Sequence, residues 1–153
     1  MGDRMMRAGL IALLLAAPAA ANPKAEVMAA TNAFMAALNK GDANAAEAMT
    51  HPQLVIQILR FPPEGGSKYS VLTRQALFDN FRNAPPRVFD ERIVKSKILV
   101  TRDYAHVWAP YTLDIDGKRI HCGVDSFGWS KIDGKWLLTT FGWTADPKGC
   151  PPK

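Results

Sequence analysis

The chain has 153 residues, room for one hydrophobic core and too little for two full domains. Apolar residues make up 48% and charged residues 22%, with a formal charge of +5, which excludes disorder; 11 Gly, 11 Pro and 2 Cys exclude a collagen-like repeat and a disulfide-dense scaffold.

Arg4 and Arg7 precede an apolar run from Ala8 to Ala17, and Ala19-Ala20-Ala21 follows. A basic end, a short apolar middle and small residues before the cut are the parts of a secretory signal peptide, and the run is shorter than the roughly 20 residues of a spanning helix. Cleavage is expected after Ala21, leaving residues 22–153 as one periplasmic or secreted domain with no membrane partner. Lys95, Lys97, Arg119, Lys131 and Lys135 alternate with apolar residues instead of clustering, so nucleic acid is not an expected partner.

Val27, Met28, Thr31, Phe34, Met35 and Leu38 recur at helical spacing, which predicts a helix over 24–39 with Gly41 at its C-terminal cap. Asp42 caps a short second helix through Met49, and Thr50-His51-Pro52 ends it. Leu54 to Leu59 reads as a buried strand and 62–66 as a loop. Thr73 to Arg82, with Leu77, Phe78 and Phe81 on one side, is a third helix stopped by Pro85-Pro86.

Beyond Pro86 the apolar period changes to 2. Glu91 to Thr101 reads as one strand, and Asp116-Gly117 and Asp133-Gly134 mark type I′ turns joining strands 104–115, 118–132 and 135–144 in a meander. Helices first and an antiparallel sheet afterwards is an α+β layout, with a curved sheet wrapped on about three N-terminal helices.

Two-residue turns would set Asp125 opposite Trp108 and Gly142, with Phe127 two residues along and His106 on the diagonal. That places a carboxylate among aromatic rings, with Gly123 and Gly142 leaving space for a ligand. His121 shares the face of Asp125 but lies about 13 Å along the strand, so the two are positioned to hold opposite ends of one small molecule. An Asp or His at such a place equally serves to satisfy a buried donor. Trp108, Phe127, Trp129 and Trp136 form an aromatic face that suits either a core or a ligand wall. The other face, with Val107, Tyr111, Leu113, Ile120, Val124, Phe141 and Trp143, is apolar too. Helices cover one face and a second subunit is expected on the other; which face meets the helices is open at this point.

In an oxidising compartment the only two cysteines, Cys122 and Cys150, are expected to pair and to pin the Pro-rich tail. No Gly-rich phosphate loop or metal-ligand spacing occurs, so neither a metal nor a cofactor is expected.

Trp108-Ala109-Pro110-Tyr111, Asp116-Gly117-Lys118, His121-Cys122-Gly123-Val124-Asp125-Ser126-Phe127, Gly134-Lys135-Trp136 and the closing Cys150 together resemble the exported, lumazine-binding-like branch of the nuclear-transport-factor-2-like (SnoaL-like) superfamily. The opening helix with Phe34, Leu38, Gly41-Asp42 and then His51-Pro52 is similar to that superfamily too. The resemblance implies a cone-shaped α+β fold with an internal pocket and frequent dimerisation. It includes ketosteroid isomerase-like and polyketide cyclase-like enzymes, in which a pocket Asp or His moves protons. Thr144-Ala145-Asp146-Pro147-Lys148 departs from the more basic stretch usual there.

Three functions are therefore expected as alternatives. The first is binding of a small hydrophobic or heteroaromatic molecule, with Asp125 and His121 holding its polar groups and Trp108, His106, Tyr111, Phe127 and Trp129 around it. The second is proton transfer by Asp125 on a carbonyl compound, with His121 or Tyr111 as the donor to oxygen. The third is a dimeric interaction module.

Overall fold

The computed structural model describes residues 22–152; the expected signal peptide lies outside the described residues. Three helices begin at side-chain caps. Asn22 accepts the Ala25 N–H before α1 (Pro23–Asn39), Asp42 that of Ala45 before α2 (Ala43–Ala48), and Thr73 that of Ala76 before α3 (Arg74–Asn83). Gly41, with φ of +69°, makes the turn between α1 and α2.

Seven strands follow or interleave: β1 (Thr50–Arg60), β2 (Lys68–Thr73), β3 (Phe89–Ile93), β4 (Lys97–Thr101), β5 (Tyr104–Ile115), β6 (Lys118–Ile132) and β7 (Lys135–Ala145). They form one curved, unclosed sheet in the order β2-β1-β7-β6-β5-β3, with β4 beside the other half of β5. The layout is α+β, as expected, and β5 to β7 form the expected meander. Asp116 and Asp133 take φ near +50° and the glycines after them +78°, as type I′ turns require.

Three expectations are corrected. The sheet is mixed, because β1 runs parallel to β7. An additional edge strand, β2, pairs with β1. The stretch 91–101 is two strands laid end to end along β5, and their break falls opposite Pro110. Pro110 accepts the Val94 N–H through its carbonyl but has no N–H to return, so the ladder cannot continue there.

The face of β6 that carries Phe127 and Trp129 meets the helices. Phe34 of α1 packs edge-on against Phe127, Trp129 and Phe141, with ring centroids 5.6 to 6.4 Å apart. Val107 and Leu138 from the sheet and Leu77 and Phe78 from α3 complete this buried cluster. It plugs one end of the cone. The opposite sheet face exposes Tyr69, Val71, Tyr104 and Trp108.

Cys122 is bonded to Cys150, with Cα atoms 5.0 Å apart and a sequence separation of 28, and paired Cys122–Asp146 backbone bonds hold the same tail. Replacing Cys150 by Ser is expected to lower the unfolding free energy in urea by about 3 to 4 kcal/mol, from the loop closed by the bond. A loss below about 1 kcal/mol would show that the tail is held without it.

Candidate functional site

Two bulges decide what surrounds Asp125. Leu113 pairs with His121 while Asp114 pairs with Arg119, which leaves Ile120 as an extra residue in β6. Gly128 pairs with Thr140 and Trp129 with Leu138, which leaves Thr139 extra in β7. Each extra residue shifts the pairing by one and exchanges the faces of the partner strand. Asp125 therefore sits between Ala109 and Trp143, not between Trp108 and Gly142. Tyr111, Leu113, Phe141 and Trp143, expected on the far face, join Asp125 on the concave side.

Along that side of β6 the environment changes. Trp129 and Phe127 are fully buried in the plug under Phe34, whereas Asp125 and His121 line a cavity of about 270 Å³. Its apolar wall is Leu38 from α1, Leu77 and Phe81 from α3, Phe89 from β3, and Phe141 and Trp143 from β7. Glu91, Tyr111 and Arg60 are the further polar members. Trp108 and His106 lie on the convex face, in a separate shallow depression, where His106 is 3.4 Å from the Ser126 hydroxyl.

Asp125 is only 1% exposed, and its Oδ2 has no hydrogen-bond partner among the described residues. Its neighbour is Glu91, close enough for a hydrogen bond between the two carboxyl groups. Burial pushes the Asp125 carboxyl well above the usual carboxylate range, and the charge of Glu91 and the shared hydrogen bond push it further. Burial likewise raises Glu91 to about 7, with the bond from Asp125 acting in the opposite direction. Two carboxylates cannot both ionise cheaply in an apolar cavity, so the pair holds a proton between them at neutral pH.

Glu91 is held from behind. The Asn39 side chain donates to the Glu91 carbonyl at 2.8 Å and accepts its N–H at 2.9 Å, which fastens the last turn of α1 to β3. Glu91 had a signal in the sequence: Phe89, Glu91 and Ile93 share one strand face, which sets an acid among inward apolar residues. Arg60, at the exposed end of β1, had none.

Tyr111 donates its hydroxyl hydrogen to the Thr144 carbonyl at 2.7 Å and lies 3.0 Å from His121 Nδ1. With the hydroxyl hydrogen committed to Thr144, Nδ1 carries the imidazole proton and Nε2 keeps the lone pair. Burial, and after it the positive charge of Arg60, lower the His121 pKa, so the ring is neutral at pH 7. Burial, then the charges of Asp125 and Glu91, drive Tyr111 upward, so it stays protonated.

Gly123 makes this anchor possible. A Cβ there would lie 2.0 Å from the Thr144 carbonyl oxygen. The space that the sequence offers to a ligand is thus filled by the carbonyl that fixes Tyr111. Gly142 faces the other side, against the Gln57 backbone.

No family model matches the chain, and no curated protein does. Solved structures do. An NTF2-like protein from Cytophaga hutchinsonii is 15% identical, with a TM-score of 0.68 over 82% of this chain and 99% of that one. A "putative dehydratase from the NTF2-like family" of Streptomyces avermitilis is 15% identical, with a TM-score of 0.60 over 81% and 98%. The S. rosetta CaMKII hub is 19% identical, with a TM-score of 0.61 over 83% and 99%. The chain has the nuclear-transport-factor-2-like fold. These likenesses reach the superfamily's fold and do not single out its lumazine-binding-like branch.

Two outcomes test the site. Raised acid pKa values mean that the folded state binds more protons than the unfolded one between about 4.5 and 7 and above, so the pair's contribution to stability falls as pH rises through that window. The melting temperature of Asp125→Asn relative to the natural chain is therefore expected to climb from pH 5 to pH 8; a difference independent of pH would refute the raised values. Gly123→Ala is expected to cost about 1 to 3 kcal/mol in urea unfolding and to shift the Tyr111 ring resonances, and a neutral effect would contradict the close approach.

Proposed function

We propose that this protein is an exported small-molecule-binding protein whose ligand enters the cone beside Trp143 and Phe81 and places a polar group against Asp125. The observation that carries this reading is a cavity of about 270 Å³ with apolar walls whose lining includes two neighbouring acids, Glu91 and the 1% exposed Asp125. An apolar hollow with a few convergent polar groups and displaced acid pKa values is the usual form of a ligand site. His121 Nε2, Tyr111 and Glu91 supply the other polar contacts. Phe127 and Trp129 support the floor from below, while Trp108 and His106 belong to the convex face.

A second reading, proton transfer on a carbonyl compound by Asp125, is favoured by its coupling to Glu91. Two acids sharing one proton can hand it over and take it back near neutral pH. The disulfide agrees with an oxidising compartment, and exposed Tyr69, Tyr104 and Trp108 on the convex sheet suit a second copy of the chain, a hub being among the structural neighbours.

Native mass spectrometry of the protein isolated from its source tests ligand and subunit count together. A bound compound of a few hundred daltons, absent from Asp125→Asn, is expected. Thermal shift with pterins, flavins and steroids extends the test. If no compound is retained and none shifts the melting temperature, the binding reading fails; turnover of an accepted compound that persists unchanged in Asp125→Asn removes the proton-transfer reading.

A further inference from the structure

The chemistry at the end of the cavity restricts what can dock there, and the restriction rests on the ligand-binding reading above. With one proton held between Asp125 and Glu91, the remaining carboxyl lone pairs of the pair are acceptors, and both residues line the cavity. Buried acceptors favour a ligand that donates a hydrogen bond. A singly protonated acid pair also carries one negative charge, which is better compensated by a cation than by a neutral donor.

The other groups around Asp125 do not cancel that charge at depth. Tyr111 from β5 is protonated and neutral, and His121 from β6 is neutral. Among the described residues, α1 brings Leu38 and Asn39 to the cavity, α3 Leu77 and Phe81, and β7 Phe141 and Trp143, none of them charged. Arg60 of β1 is the cation of the lining; it stands exposed, bonded to Ser70 at 3.2 Å, and its charge acts on His121 and Tyr111 and not on the acid pair. The walls add a preference in the same direction, since Phe81, Phe89, Phe141 and Trp143 present aromatic rings that attract cations and flat apolar bodies.

We infer that the cavity is selective for a protonated nitrogen base, an amine or amidine carried on an aromatic body, whose N–H donates to the facing carboxyl groups of Asp125 and Glu91. The base docks at the acid pair and the ring lies against Trp143 and the phenylalanines. Binding selects the singly charged pair over the neutral one, so it expels a proton below about pH 7 and strengthens as pH rises through that value.

Three probes with one ring test this by calorimetry in two buffers of different ionisation heat: tryptamine, tryptophol and indole-3-acetate. At pH 8 tryptamine is expected to bind at least about tenfold more tightly than tryptophol, and at pH 6 to bind more weakly with release of up to about one proton. The double variant Asp125→Asn/Glu91→Gln, which removes the charge and is checked for native circular dichroism, is expected to cut the preference below about threefold, whereas each single amide leaves one carboxylate and keeps a preference for the amine. Equal binding of tryptophol, or tighter binding of indole-3-acetate through Arg60, overturns the inference and leaves the ligand-binding reading standing. Failure of tryptamine to bind at millimolar concentration also overturns the inference, while the ligand-binding reading stands or falls with the compound retained by the isolated protein.

Discussion

One extra residue in each of two hairpins governs the interior of this molecule. Without Ile120 and Thr139, the neighbours of Asp125 would be Trp108 and Gly142, and its carboxyl would share a face with groups that are now outside. With them, Tyr111, Leu113, Phe141 and Trp143 turn inward together, and the inner face of β6 grades from the plug at Trp129 and Phe127 to the open end at Asp125 and His121. Bulges also add twist, which suits a sheet that must curl around α1.

The interior that results is energetically uneven. Phe34 sits against three rings at the plugged end, where burial of aromatic surface stabilises the fold. At the open end the fold places two acids beside each other, which costs stability at neutral pH because burial disfavours their ionised forms. Asn39, Thr144 and Gly123 are used to hold the groups around them in place. Strain of this kind, fixed by its surroundings, is what a binding or acid–base site requires.

Much of this was legible in the sequence. The capping residue Asp42, the third helix, the turns at Asp116-Gly117 and Asp133-Gly134 and the cysteine pair follow from local chemistry acting over a few residues. Register did not, because a single-residue bulge leaves the apolar alternation of each strand intact and reverses only which strands share a face. The parallel β1–β7 pair and the approach of Glu91 to Asp125 join segments far apart in the chain, with no tight turn to set their alignment. Pro110 carried the break between β3 and β4 in plain view, but its meaning depends on which neighbour its missing N–H would have faced.

Asp125 and Glu91 share a proton inside an apolar hollow. Carbon-13 NMR titration of the side-chain carboxyl groups measures it directly. The account predicts that Glu91 titrates near 7 and Asp125 above the ordinary carboxylate range, each shift vanishing or moving when the other residue is made an amide. Titration of both groups independently near pH 4 would contradict it.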